Sequence, residues 1–333
     1  MCSDLMLRAP SSISPVHRRL RQFASALLVL LATAAAAPSA RAAGIAVSPD
    51  ARRALDAIYN GDSAAAISIA RTMQAAQPQA PLGYMIEDEA LWWNRYCAAC
   101  EIKYGIAESW KHGKTPGDEA YLALASKVTG LADAQLAKSE TAEMHFYAGM
   151  GWALKVRVYA LRNENRAAAR AAVGARREML RALALDPQMA DATATLGMYN
   201  YYVDTLSPMV KLLRFFLGIP GGDKELGIKQ METGIAQGVL LRTDIRFILA
   251  RALRQYDRQY QHALGLAAPL AAQYPKNPLF LILIGNLNTE LGRKDAAAKA
   301  FHAAQAAASA STTNPACASR ARAIAAQFLS AEK

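Results

Sequence analysis

Residues 278–311 read Pro-Leu-Phe-Leu-Ile-Leu-Ile-Gly-Asn-Leu-Asn-Thr-Glu-Leu-Gly-Arg-Lys-Asp-Ala-Ala-Ala-Lys-Ala-Phe-His-Ala-Ala-Gln-Ala-Ala-Ala-Ser-Ala-Ser. Two helix-forming runs meet at Leu291-Gly292-Arg293, so the stretch is a helix, a tight turn and a second helix. Its 34 residues align with the preceding 34, Asp244–Asn277. In the later window Gly285, Gly292, Ala297, Phe301 and Ala304 stand at positions 8, 15, 20, 24 and 27. The earlier one places Ala263 at 20, Ala267 at 24 and Pro275 at 32. Working outward, Gly61, Ala66, Ala70 and Pro78 occupy positions 15, 20, 24 and 32 of another window, and Ala175, Ala182 and Pro187 occupy 20, 27 and 32 of a fourth. Recurrence at a fixed period of this length marks stacked hairpins, none of which buries enough surface alone.

Those positions resemble the tetratricopeptide-repeat pattern, most specifically in residues 244–311 and least in residues 83–162. The pattern has a packing logic. Two antiparallel helices approach closely where one offers Gly or Ala and the other a bulky side chain, and the closing Pro cannot continue a helix. The expected fold is all-α, a right-handed superhelical solenoid of tetratricopeptide-like hairpins with an atypical apolar helical insert; the alternative is an alanine-rich helical bundle. Helices are predicted near 50–60, 63–77, 83–110, 118–137, 140–162, 165–185 and 190–206, then 208–217, 223–237, 241–256, 259–273, 279–291, 294–310 and 316–330. No run alternates like a strand. Apolar residues make up 53% of the 333, enough for a core, and this excludes a disordered or collagen-like chain.

The first residues read as an export signal. Positive charge at His17-Arg18-Arg19-Leu20-Arg21 precedes an apolar stretch from Phe23 to Ala37, and Ala40-Arg41-Ala42 offers small residues to a signal peptidase. The apolar run is shorter than a spanning helix and ends in Pro38, which argues against an anchor. Arg21 stands where twin-arginine export needs an apolar residue, and no cysteine follows the cut as a lipoprotein would require. The expected organisation is a signal peptide at 1–42, a repeat region at 43–188, an atypical apolar segment at 189–240 and tetratricopeptide repeats at 241–333. The expected address is a bacterial periplasm. Without residues 1–42 the net charge falls from +11 to about +7, with the basic residues read as spread over helical surfaces. Nucleic-acid binding needs them clustered beside stacking aromatics, so no nucleic-acid partner is expected, while a mild attraction to anionic membrane remains.

Export implies an oxidising compartment for Cys97, Cys100 and Cys317. Cys97-Ala-Ala-Cys100 is the candidate local disulfide, with buried free thiols as the alternative. Glu101 excludes haem attachment, which needs His there, and the single pair excludes a zinc ribbon; a catalytic dithiol is disfavoured because no strand precedes the pair.

Between Thr195 and Ile235 alanine disappears, although it fills 72 positions of the chain. Gly197-Met198-Tyr199-Asn200, Leu206-Ser207-Pro208, Lys211-Leu212-Leu213, Leu217-Gly218-Ile219 and Gly222-Asp223-Lys224-Glu225-Leu226-Gly227-Ile228 follow in order. This resembles a segment of the eukaryotic tetratricopeptide family that includes the yeast inclusion-body clearance protein. It departs from that family's pattern at Ile219, Lys224 and the added Pro220. The resemblance implies helical architecture; the export signal argues against the family's lipid-droplet or inclusion role. Residues 208–219 are read as a helix plugged into the superhelix, because they are apolar nearly all round. The competing reading is an interfacial helix, with Lys211 and Arg214 at headgroups and Phe215 and Phe216 in lipid.

Catalytic signatures are missing. Gly218-Ile-Pro-Gly-Gly-Asp-Lys224 lacks the adjacent Gly-Lys and following hydroxyl of a phosphate loop, and no zinc-protease, nucleophile-elbow or dinucleotide pattern occurs. His112, His145, His262 and His302 are isolated. Glu87-Asp88-Glu89 before Leu91-Trp92-Trp93 could grip a sugar or cation, but reads first as a solvated opening turn leading into core aromatics. Tyr84, Tyr96, Tyr104 and Trp110 join the same aromatic set, some of which could line a concave groove. The expected function is a non-enzymatic, cofactor-free scaffold holding a protein or peptide. The alternatives are a lipid-handling protein acting through residues 208–219, and an unrecognised hydrolase or carbohydrate binder using residues 84–112.

Overall fold

The computed structural model describes residues 45–99, 114–206, 219–311 and 314–331. From Gly44 onward the chain forms one compact unit. Every regular element among the described residues is helical. The first is α1, Pro49–Tyr59, opened by Ser48, whose hydroxyl accepts from the Ala51 amide at 3.1 Å. There follow α2 (Ser63–Ala76), α3 (Pro81–Ala99), α4 (Asp118–Leu136), α5 (Ala142–Leu161), α6 (Asn165–Leu185) and α7 (Ala190–Asp204). The second half holds α8 (Lys224–Gln237), α9 (Arg242–Ala252), α10 (Tyr260–Gln273), α11 (Pro278–Glu290), α12 (Lys294–Ala310) and α13 (Pro315–Ala331). α9 widens into a π-helical turn, Leu253–Asp257, before Arg258 turns the chain at φ 53°. The predicted 208–217 helix lies outside the described residues, and of the predicted 83–110 helix the structure describes the part up to Ala99.

Each helix packs on the next along the chain, and α1 also packs on α3, α3 on α5 and α11 on α13. Burial alternates with that order. The even-numbered α2, α10 and α12 bury one narrow face made mostly of alanine: Ala66 and Ala70, Ala263 and Ala267, then Ala297, Ala304 and Ala308. α5, α7, α9 and α11 are buried nearly all round. Helices of the first kind can lie close on their neighbours while facing water; the second kind form the interior.

The repeat positions behave alike wherever they recur. Ala66, Ala263 and Ala297, all at position 20, are fully buried. Gly61 and Gly292, both at position 15, turn the chain at φ 85° and 71°, in the left-handed region that glycine adopts without strain. Pro78 and Pro275 sit exposed in the connection after a helix. Gly285 meets Phe301 face on: a Cβ added there would lie 2.5 Å from the Phe301 ring.

Within the alanine-free stretch, two glycines have a packing reason. Where α7 crosses α8, Gly197 and Gly227 face each other so closely that a Cβ on either would lie 2.8 or 2.7 Å from the other's carbonyl oxygen. Even alanine is too large at that crossing. The start of α7 is tied to the turn before α9 by Asp191, whose carboxylate accepts from the Val239, Leu240 and Leu241 amides at 2.8–3.1 Å.

The contacts do not simply run from one end to the other. α13 rests on α3, and Asn314 meets Asn94 side chain to side chain. At the other end of α1, Asn277 Nδ2 donates to the Tyr59 carbonyl at 2.9 Å and the Tyr274 hydroxyl donates to Asp56 at 3.0 Å. The first and last thirds of the described chain therefore meet, and the side chains between them are packed against one another.

Candidate functional site

That packing is aromatic and charged, and it centres on α3. Trp93 packs against Tyr59, Phe247 and Phe280 with ring centroids 5.0–5.8 Å apart, joining α1, α9 and α11. Trp92 lies beside Tyr96 and Tyr121. Edge-to-face contact of this kind stabilises a core beyond the area it buries. Of the six aromatics singled out in this region, Trp92, Trp93 and Tyr96 are buried and Tyr84 is half-buried; Tyr104 and Trp110 lie outside the described residues.

Glu87, Asp88 and Glu89 occupy the second and third turns of α3, because the helix begins at Pro81, and all three are buried. This corrects the reading of a solvated opening turn. Arg157, from α5, answers the charge: it donates to Glu89 at 2.6 Å and to Asp244 of α9 at 3.0 Å while lying 5.1 Å from the Trp92 ring centre. Burial opposes its charge, yet the two carboxylates outweigh that and hold its proton more firmly than usual. Asp244 is pushed up to about 7 by burial and by Glu89, against the pull of Arg157. Trp93 Nε1 completes the set with a 3.0 Å bond to Glu89.

Asp88 differs from its neighbours. It is fully buried, neither carboxyl oxygen has a hydrogen-bond partner, and burial followed by Glu89 raises its pKa well above the carboxylate range. Tyr121, whose hydroxyl also lacks a partner, is raised by burial and by Asp88. Two helical turns further along the same face of α3, Arg95 pairs with Asp118 at 2.8 Å and lies over the Tyr121 ring. Asp118 also takes Arg162 at 2.7 Å. Burial alone would raise Asp118; the bonds from Thr115 and Arg162 outweigh it and bring it down to about 2.

Arg95 and Tyr121 open outward onto a cleft of about 290 Å³ between α3, α4 and the start of α13, with Leu91, Asn94, Asn314 and Ala316 among its walls. The Cys97–Cys317 disulfide lies beside it, with Cα atoms 4.9 Å apart. This corrects the expected Cys97–Cys100 bridge. α3 turns Cys97 inward against the first turn of α13, which brings Cys317 to bridging distance across 220 residues of chain. Cys100 itself lies outside the described residues, as do Lys211, Arg214, Phe215 and Phe216 and the whole of 1–42.

Chemically, the interior pairs Arg157 with Glu89 and Asp244, and beside that network lies the Asp88 carboxyl, which has no hydrogen-bond partner. His145 lies elsewhere, held between Glu178 at 2.7 Å and Glu140 at 3.0 Å. Among the described residues no group of three His, Cys, Asp or Glu side chains could hold a metal ion, and no helix is long and apolar enough to cross a membrane. Sequence reasoning missed Arg157, Asp244, Arg95 and Asn314. Arg157 carried only a shared signal, as one of two cations, with Lys155, inside the mainly apolar run Met150–Leu161. No known family model matches the chain, and no curated protein matches it in sequence.

Proposed function

We propose that the protein is an exported, non-enzymatic helical-repeat scaffold of the tetratricopeptide kind that binds a protein or peptide partner at the α3–α4–α13 cleft. The repeat reading is supported by the like environments of position-20 alanines and position-15 glycines. The export reading rests on residues 17–42. One observation carries the binding reading: the interior is packed with the protein's own rings and ion pairs, whereas this cleft presents two amides and a guanidinium at an otherwise apolar wall. Arg95 holds Asp118, and Asn314 is bonded to Asn94 and to the Cys317 amide, so an incoming peptide meets polar groups that are already ordered; amides match a peptide backbone and a guanidinium a carboxylate. A cleft at the lower end of the range for small ligands accommodates a side chain or a chain terminus rather than a large cofactor.

Crosslinking in the native cell envelope, with mass spectrometry of the captured species, identifies the partner. Ala316, at the exposed edge of the cleft, is the residue to enlarge. Ala316→Trp fills the space without touching a buried contact, and is expected to lower capture at least about tenfold. Full capture by that variant would refute the cleft as the binding site.

A further inference from the structure

The net positive charge is greatest on one helix. α6 holds five arginines and a single acid, Glu178, a net charge of +4, while every other described helix lies between −2 and +2. Four of the five, Arg166, Arg170, Arg177 and Arg181, are all exposed. Their spacings of four, seven and four residues place them within about 60° of arc, in a row about 22 Å long. The opposite face, with Ala171, Ala175, Met179 and Ala182, is the buried one, so the row runs along the outward pole.

Counter-charge reaches only half of it. Arg181 is held by Glu140 through two bonds of 2.6 Å, and Arg177 by Glu178. Arg166 and Arg170 have no ion-pair partner among the described residues. Leu180 and Leu185 stand beside the row with 39% and 38% of their surface exposed.

We propose that the outward pole of α6 is a docking surface for an anionic phospholipid membrane. Guanidinium groups carry little hydration and pair with phosphate through two parallel bonds, so arginine suits headgroups better than lysine does. A straight row on a convex helix meets a flat surface along its whole length. An acidic peptide would be gripped better by a groove, and nucleic acid would want rings free to stack, whereas Trp152 packs on Gly174 and Tyr199 lies under Arg176. The flanking leucines reach the boundary between headgroups and acyl chains. This surface stands independently of the cleft and of residues 208–219.

Flotation of the full chain with vesicles tests it, using phosphatidylcholine alone or with phosphatidylglycerol as the minor component. The expected result is binding that needs phosphatidylglycerol and weakens with salt. Arg166→Gln with Arg170→Gln is expected to weaken it about 25-fold, at about fivefold for each charge withdrawn from the surface. Lys294→Gln with Lys299→Gln on α12 removes the same net charge and is expected to change it less than about threefold. Equal loss in both double variants would make the attraction one of net charge and overturn the assignment. So would indifference to phosphatidylglycerol, or retention by immobilised polyglutamate in place of vesicles, which would hand the row to an acidic protein.

Discussion

Arg157 is the cation that the buried Glu89 and Asp244 share, and Arg157→Met is the substitution that exposes this dependence. Methionine keeps most of the volume against Trp92 but leaves Glu89 and Asp244 facing each other without a cation. Removing one partner of a buried pair costs about 3–5 kcal/mol, because the remaining charge stays desolvated. The size of the loss depends on pH, and the sign follows from Asp244. Its folded pKa, pushed up to about 7, exceeds the unfolded value, so the native state binds the proton more tightly. The wild-type protein therefore forfeits up to roughly 4 kcal/mol as pH rises from about 4 to about 7. Arg157 lowers that pKa, so without it the value climbs further and the decline continues above pH 7. Urea denaturation of both proteins with the disulfide intact, near pH 5 and near pH 8, gives the comparison. The variant is expected to be less stable at both and to lose more at about pH 8. Adding Glu89→Gln and Asp244→Asn to it is expected to restore most of the loss. A deficit below about 1 kcal/mol, or one equal at the two pH values, would refute the account of a single cation balancing two buried carboxylates.

Gly285→Ala presses a methyl into the Phe301 ring and is expected to cost about 1–3 kcal/mol. Gly130→Ala, in the same kind of helix interior but with nothing within 4 Å, is expected to gain about 0.5–1 kcal/mol; thermal melts of the pair check both. Peptide mapping of the unreduced protein is expected to recover Cys97 joined to Cys317, and Cys317→Ser to lower stability by up to about 5 kcal/mol, the chain-entropy bound for so long a loop. A Cys97–Cys100 peptide in its place would refute the tie between α3 and α13.

The helix boundaries were legible to within a residue or two along most of the described chain. Asn165–Leu185 and Lys294–Ala310 coincide with their predicted spans. Their signals are local: an N-cap such as Asp223, whose side chain accepts from the Leu226 amide, or a glycine that alone takes the turn after α11. Gly285 and Phe301 were legible as repeat packing positions for the same reason; that they meet each other, within one hairpin, is shown by the structure. Glu87, Asp88 and Glu89 were not, because an acidic triplet looks the same in sequence whether water or an arginine seventy residues away answers its charge. The arginine row on α6 lay in plain view as a spacing, yet its outward direction needed the buried face of α6 to be known.

What the sequence determined by itself was therefore the rods and their nearest neighbours: helices, turns and the small residues that let one hairpin nest against the next. Only the tertiary structure decided that α13 returns to α3, that Cys97 pairs with Cys317 and that the inner surface closes on Arg157. These are contacts between residues far apart in the chain. Such partners are selected by where many packed helices converge in space, a sum over every crossing along the way, and no short pattern of residues records that sum.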